Sequence, residues 1–204
     1  WADYWNVEKW PGKRGAYKDA RIMIEIALMA DGVKKEDIYK VLAEPSGFDR
    51  AFKKLDELKP HILWAESAAD GMQRLLAGDV AMVVNFNARV SGAAKENKRN
   101  LVIAWDSGFW VGTDYWVQIA NGPNPSAAAK MLEFYSRLAT QAALVENLSY
   151  GVPTLAAYDL MPKDIKDGLP TAPDKAAWAA VYSDDFWVEH QAAATERFNA
   201  WAAQ

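Results

Sequence analysis

The sequence predicts an α/β fold with a mainly parallel or mixed sheet, and three observations carry that prediction. Helical periods alternate with short apolar or β-branched runs along most of the chain. One helical segment, Ala20 to Ala30, is almost wholly apolar, as a helix buried between layers must be. Finally, Phe109 to Ala120 opens with four aromatics and one acid within eight residues and then reads as a strand.

The elements follow in order. Trp1 to Gly15 is irregular and turn-rich, broken at Pro11-Gly12. Asp19 sits in the N-cap position of the Ala20 to Ala30 helix, which stops at Asp31-Gly32. Phe48, Ala51, Phe52, Leu55 and Leu58 recur at helical spacing with charges between them, an amphipathic helix closed by Pro60. His61 to Trp64 reads as a short strand, Asp70 to Ala77 as a helix ending at Gly78, and Val80 to Phe86 as a buried strand. Asn87 to Glu96 is helical, and Leu101 to Trp105 and Tyr115 to Ala120 are strands. Asn121 to Pro125 is a turn, Ser126 caps a helix bearing Met131, Leu132, Tyr135 and Leu138, and a further helix runs from Gln141 to Leu148. Tyr150 to Thr154 is a turn or crossing segment. Trp187, Gln191, Ala194, Phe198 and Trp201 mark a long docking helix in the tail from Asp184 to Ala203.

Composition narrows the functional classes. At 204 residues, of which 51% are hydrophobic, the chain suffices for one large domain or two small ones. A net charge of −4 and the lack of a basic patch argue against nucleic acid or an anionic membrane as partner. With no cysteine, disulfides, thiolate nucleophiles and cysteine metal sites are excluded. No apolar run is long enough to span a membrane. The start Trp1-Ala2-Asp3-Tyr4-Trp5 is what a cleaved signal peptide, or a larger missing segment, would leave.

Enzyme signals are poor. The two histidines, His61 and His190, fall in no metal-ligand spacing. Phosphate-loop, dinucleotide and nucleophile-elbow patterns are absent, and Gly12-Lys13-Arg14-Gly15 reads as a basic surface turn. Carboxylates are plentiful, but no pair marks itself as the acid and base of a glycoside hydrolase. No metal and no cofactor are expected.

Small-ligand binding has better support. Ten tryptophans suit stacking on an organic ligand. Aromatic faces beside a carboxylate, as in Trp110, Asp114 and Trp116, suit an organic cation. The same residues also read as an aromatic core strand with a surface acid. Asp19 at a helix N-terminus stays ionised through the helix dipole, and equally reads as a plain cap. Phe86-Asn87 lies where a strand passes into a helix, a common ligand position in open α/β sheets, and otherwise reads as core and cap.

The order of several segments carries a family resemblance. Trp1 to Trp5 is followed by Lys18-Asp19-Ala20-Arg21, Leu75 to Val80, Asn85-Phe86-Asn87 and Thr113-Asp114-Tyr115-Trp116. Ser149 to Thr154 and Glu196 to Trp201 complete the series. The chain resembles the later portion of the periplasmic spermidine/putrescine-binding proteins, type 2 solute receptors of ABC importers. The resemblance implies two α/β lobes with the ligand in the cleft between them. On that plan residues 1–110 and 155–204 form one nearly complete second lobe. Residues 111–154 supply the returning strand and helices of the first lobe, whose opening part, about 100 residues by ordinary domain size, is missing. Such a remnant should expose apolar surface and promote a homodimer.

Residue by residue, the resemblance implies that Asp19 and Asp114 pair with ligand amines and that Phe86 replaces a tryptophan lying against the ligand's carbon chain. Trp110 is offset by two positions from another such tryptophan, and Trp187 lies near the C-terminal ligand contacts. Ile22 stands where close polyamine receptors carry a second acid, one turn after Asp19. Loss of that charge favours a mono-cationic amine, an amino-acid derivative or an opine-like compound. The implied function is periplasmic delivery of an amine-bearing solute to an ABC permease. The alternatives are a receptor-derived module that binds nothing by itself and, behind it, a hydrolase.

Overall fold

The computed structural model describes residues 1–204. Helices and strands alternate as α1 (Ala2–Trp5), β1 (Arg14–Tyr17), α2 (Ala20–Ala30), α3 (Ile38–Ala43), α4 (Gly47–Leu58), β2 (Ile62–Ala65), α5 (Ala68–Ala77), β3 (Met82–Val83) and α6 (Asn87–Asn97). The second part carries β4 (Phe109–Val111), α7 (Pro125–Ser136), α8 (Leu138–Asn147), α9 (Lys163–Gly168), β5 (Ala179–Val181) and α10 (Asp184–Ala202). Both sheets are parallel. One has the order β2-β1-β3, with Arg14 opposite Ile62 and Met82; the other pairs β4 with β5, Phe109 opposite Ala179.

The main core forms because α2 is apolar nearly all round. Met23, Ile24, Ile26, Ala27 and Leu28 are buried, and α4 adds Ala51, Phe52, Leu55 and Leu58 from its apolar stripe. The stripe Trp187, Ala194, Phe198 and Trp201 docks α10 on the same core. Side-chain caps set the helix starts: Asp19 accepts from the Arg21 N–H, Ser67 from Asp70 and Ser183 from Phe186. Gly78, at φ 85°, ends α5 in the left-handed region. A second, smaller core joins Ala142, Val145, Val152, Ala157, Met161 and Leu169, so its residues come from both sides of position 154.

Three readings of the sequence change. Arg14 to Tyr17 lies in the stretch read as irregular at its start, yet it forms the central strand of the larger sheet. Arg14 is tolerated there, fully buried, because its guanidinium donates to the carbonyls of Tyr4, Gly12, Asn6 and Trp10. Leu101 to Trp105 forms no strand; Val102 is exposed and a 3₁₀ turn covers Trp105–Ser107. Tyr115 to Ala120 is likewise not a strand. Its β-type residues have no neighbouring strand to pair with, and Tyr115, Val117 and Ile119 are each more than 70% exposed. Trp116 stacks on Tyr135 of α7 at 4.9 Å, but Met131 and Phe134 of that helix are also exposed. α7 buries none of its residues.

Candidate ligand-binding site

The carboxyl ends of the parallel strands are where such sheets leave space for ligands. Here they gather the charged and aromatic groups into two adjoining patches. The first follows β1 and β3. Tyr17, the last residue of β1, stacks on the half-exposed Phe86 ring with centroids 6.1 Å apart. The Tyr17 hydroxyl is buried without a hydrogen-bond partner. Burial pushes its ionisation up, Arg89 on the first turn of α6 opposes that, and Tyr150 adds to it. These groups are therefore close neighbours. Asn87 donates from its side chain to the Ser149 carbonyl, tying the start of α6 to the segment after α8.

The second patch surrounds the start of α2. Asp19 accepts from the Arg21 backbone N–H at 3.0 Å and from its guanidinium at 3.3 and 3.4 Å. That bonding raises the Arg21 pKa. Trp110 on β4 is half-buried, 5.9 Å from the Tyr39 ring and 5.4 Å from the Tyr182 ring. Burial pushes the Tyr182 hydroxyl up, followed by the charges of Glu25 and Asp19, so the end of β5 lies against the start of α2. Asp114 is exposed beyond the end of β4, with no hydrogen-bond or ion-pair partner in the chain.

Trp187 is a correction. It is only 3% exposed and its indole N–H donates to Glu25 Oε1 at 2.7 Å, so it stands in the core and not on an open wall. The cause is the register of α10, which turns position 187 onto the same face as Phe198 and Trp201. Sequence reasoning missed Tyr17, Arg89, Tyr182 and Glu25. Glu25 had a signal, being the one charged residue from Ile22 to Ala30. Arg89 had one too, three residues after Phe86.

The two patches offer a guanidinium and a helix N-terminus for an anion, carboxylates for a cation, and aromatic faces nearby. A groove of about 420 Å³ between α6 and α8, lined by Ser91, Lys95, Glu96 and Glu146 among others, has no hydrophobic or aromatic residue in its lining and does not match that chemistry. No group of three or more acidic or imidazole side chains is placed to hold a metal ion. No helix is long and apolar enough to cross a membrane.

Comparison with known proteins agrees with this architecture. Residues 1–180 match the bacterial extracellular solute-binding protein family. A gamma-aminobutyric acid-binding protein of Pseudomonas aeruginosa is 45% identical over all 204 residues, which span 57% of that protein's length. The PBP MotA from A. tumefaciens B6, solved in complex with glucopine, superposes with a TM-score of 0.89 at 28% identity, over 98% of this chain and 62% of that one. The spermidine/putrescine-binding protein PotD of Streptococcus pneumoniae has a TM-score of 0.67 at 18% identity over 99% of this chain and 62% of that one, a likeness of fold alone. The polyamine resemblance thus narrows to the type 2 periplasmic-binding fold. The chain belongs to the bacterial extracellular solute-binding protein family.

Proposed function

We propose that this chain is the larger part of a periplasmic receptor that delivers a small zwitterion, an ω-amino acid such as gamma-aminobutyric acid, to an ABC permease. The observation that supports the reading is that one cation, Arg89, and two acids, Asp19 and Asp114, lie with aromatic rings near the carboxyl ends of the strands. Arg89, in the first turn of α6, acts on Tyr17, whose ring stacks on Phe86. Asp19 and the exposed Asp114 supply the acid. A carboxylate meets Arg89 and the start of α6, while an ammonium group meets Asp19 and Asp114, with Trp110 beside it. Phe86 and Tyr17 flank the methylene chain, and Asn87 holds the start of α6 in place.

Ile22 and Arg21 weigh against a polyamine. Ile22 supplies no second acid, and Asp19 is already paired with Arg21. The ligand of the 45% identical relative carries one amine and one carboxylate, which suits this balance. In the proposed division, residues 1–110 and 155–204 form the second lobe and 111–154 belong to the first. A thermal-shift series with the whole protein tests the reading. Stabilisation by gamma-aminobutyric acid but not by butyrate or putrescine is expected; stabilisation by putrescine alone would refute it.

A second reading rests on the exposed run Tyr115, Trp116, Val117 and Ile119 together with Met131 and Phe134. An apolar face of that extent suits self-association of this chain as a homodimer. In that case the chain by itself acts as an interaction module.

A further inference from the structure

Glu25 is fully buried in the second turn of α2, yet only one of its oxygens is used. Oε1 accepts from the Tyr39 hydroxyl at 2.5 Å and from the Trp187 indole at 2.7 Å, whereas Oε2 has no partner. The indole N–H of Trp110, which packs on the same Tyr39 ring, is also buried and unpartnered. The charges of Asp19 and Arg21 both act on this cluster. Arg21 and Glu25 are one turn apart on one helix face, but Arg21 turns to Asp19.

We propose that Glu25 is a proton-exchanging counter-charge for the ligand's ammonium group: a cation arriving at Asp19 draws the Glu25 carboxyl into its ionised form and releases its proton to solvent. This rests on Asp19 holding the ligand nitrogen. The carboxyl becomes carboxylate plus a free proton, so no other reactant is needed. Asp19 and Glu25 are six residues apart, about 9 Å along the helix, close enough for their charges to be coupled in a partly buried setting.

The surroundings make the exchange available. Burial holds the Glu25 carboxyl up, to about 7, against the two hydrogen bonds that favour the anion, and the Asp19 charge adds to the rise. From α2 the facing charged groups are Asp19 and Arg21; α3 contributes Tyr39, and the segment after β5 contributes Tyr182. α4 presents only apolar side chains to the core, and α1 presents Tyr4, whose hydroxyl is bonded to the Gly15 carbonyl. An ammonium at Asp19 opposes the negative charge that lifts Glu25, so proton loss and ligand binding favour each other.

Calorimetric titration of the whole protein with gamma-aminobutyric acid tests this at pH 7 in two buffers of different ionisation enthalpy. The expected result is a buffer-dependent heat equal to a few tenths of a proton released per ligand, and an affinity that rises about three- to tenfold from pH 6 to pH 8. Glu25→Gln should abolish both effects, and His190→Gln, one aromatic ring farther out, should leave them intact. A buffer-independent heat in the wild type, or an unchanged release in Glu25→Gln, overturns the proposal. Without ligand, the Trp187 indole N–H resonance should move between pH 6 and pH 8 in the wild type. A flat Trp187 resonance also overturns the proposal, even if Glu25→Gln fails to fold. If the resonance moves but no amine binds, it is the ligand reading of Asp19 that fails.

Discussion

Replacing Glu25 by Gln should make the stability of this fold nearly independent of pH across the neutral range. Burial lifts the carboxyl from its ordinary value of 4.5 to about 7. Between those values the folded state binds a proton that the unfolded state has released, so stability falls as pH rises. Below the unfolded value both states are protonated; above about pH 7 both are ionised, and the full penalty applies. The shift corresponds to about 3 kcal/mol at pH 8, a third or so of the stability of an ordinary domain. Gln keeps an acceptor for Tyr39 and Trp187 but places an amide group where Oε2 had no partner. That costs about 1–3 kcal/mol at every pH. The diagnostic quantity is therefore the change in the wild-type-to-variant difference, not its value at one pH. Urea unfolding of both proteins from pH 5 to pH 8 measures it. A gap that swings by about 3 kcal/mol in favour of the variant supports the reasoning. A constant gap would refute it.

Phe198→Ala should cost about 3–5 kcal/mol in urea unfolding, because the ring is fully buried between Phe52, Trp64 and Trp201. Arg89→Ala should weaken gamma-aminobutyric acid binding about ten- to a hundredfold in calorimetry while leaving the thermal midpoint nearly unchanged, since the side chain is exposed. Replacing Trp116 and Ile119 together by Ser should shift sedimentation of this chain toward the monomer, as both are more than 60% exposed.

Much of the α-helical framework is legible in the sequence. α2, α4 and α10 announce themselves through dense apolar periodicity, and α2 starts at a cap, Asp19, that the sequence also shows. Strands are harder to read because a strand is completed by its neighbours. Arg14-Gly15-Ala16-Tyr17 has no β-branched residue, and only four main-chain carbonyls around the guanidinium explain a buried arginine there. Tyr115 to Ala120 shows the converse: strand-forming residues with no adjacent strand. At the site, Asp19 and Phe86 are visible because they flank element boundaries. Trp187 is read correctly as a docking residue by its helical spacing, and only the family resemblance assigns it to the ligand. Tyr17 escapes notice because its partners, Phe86 and Arg89, come from across the sheet.

In the proposed function, opposite charges beside aromatic rings select a small zwitterion. Calorimetric titration of the whole protein with gamma-aminobutyric acid, butyrate and putrescine in parallel tests it most directly. Saturable one-to-one binding of gamma-aminobutyric acid is expected, at least about tenfold tighter than either the mono-functional or the di-cationic analogue. Putrescine binding as tightly as gamma-aminobutyric acid, or butyrate doing so, would contradict it.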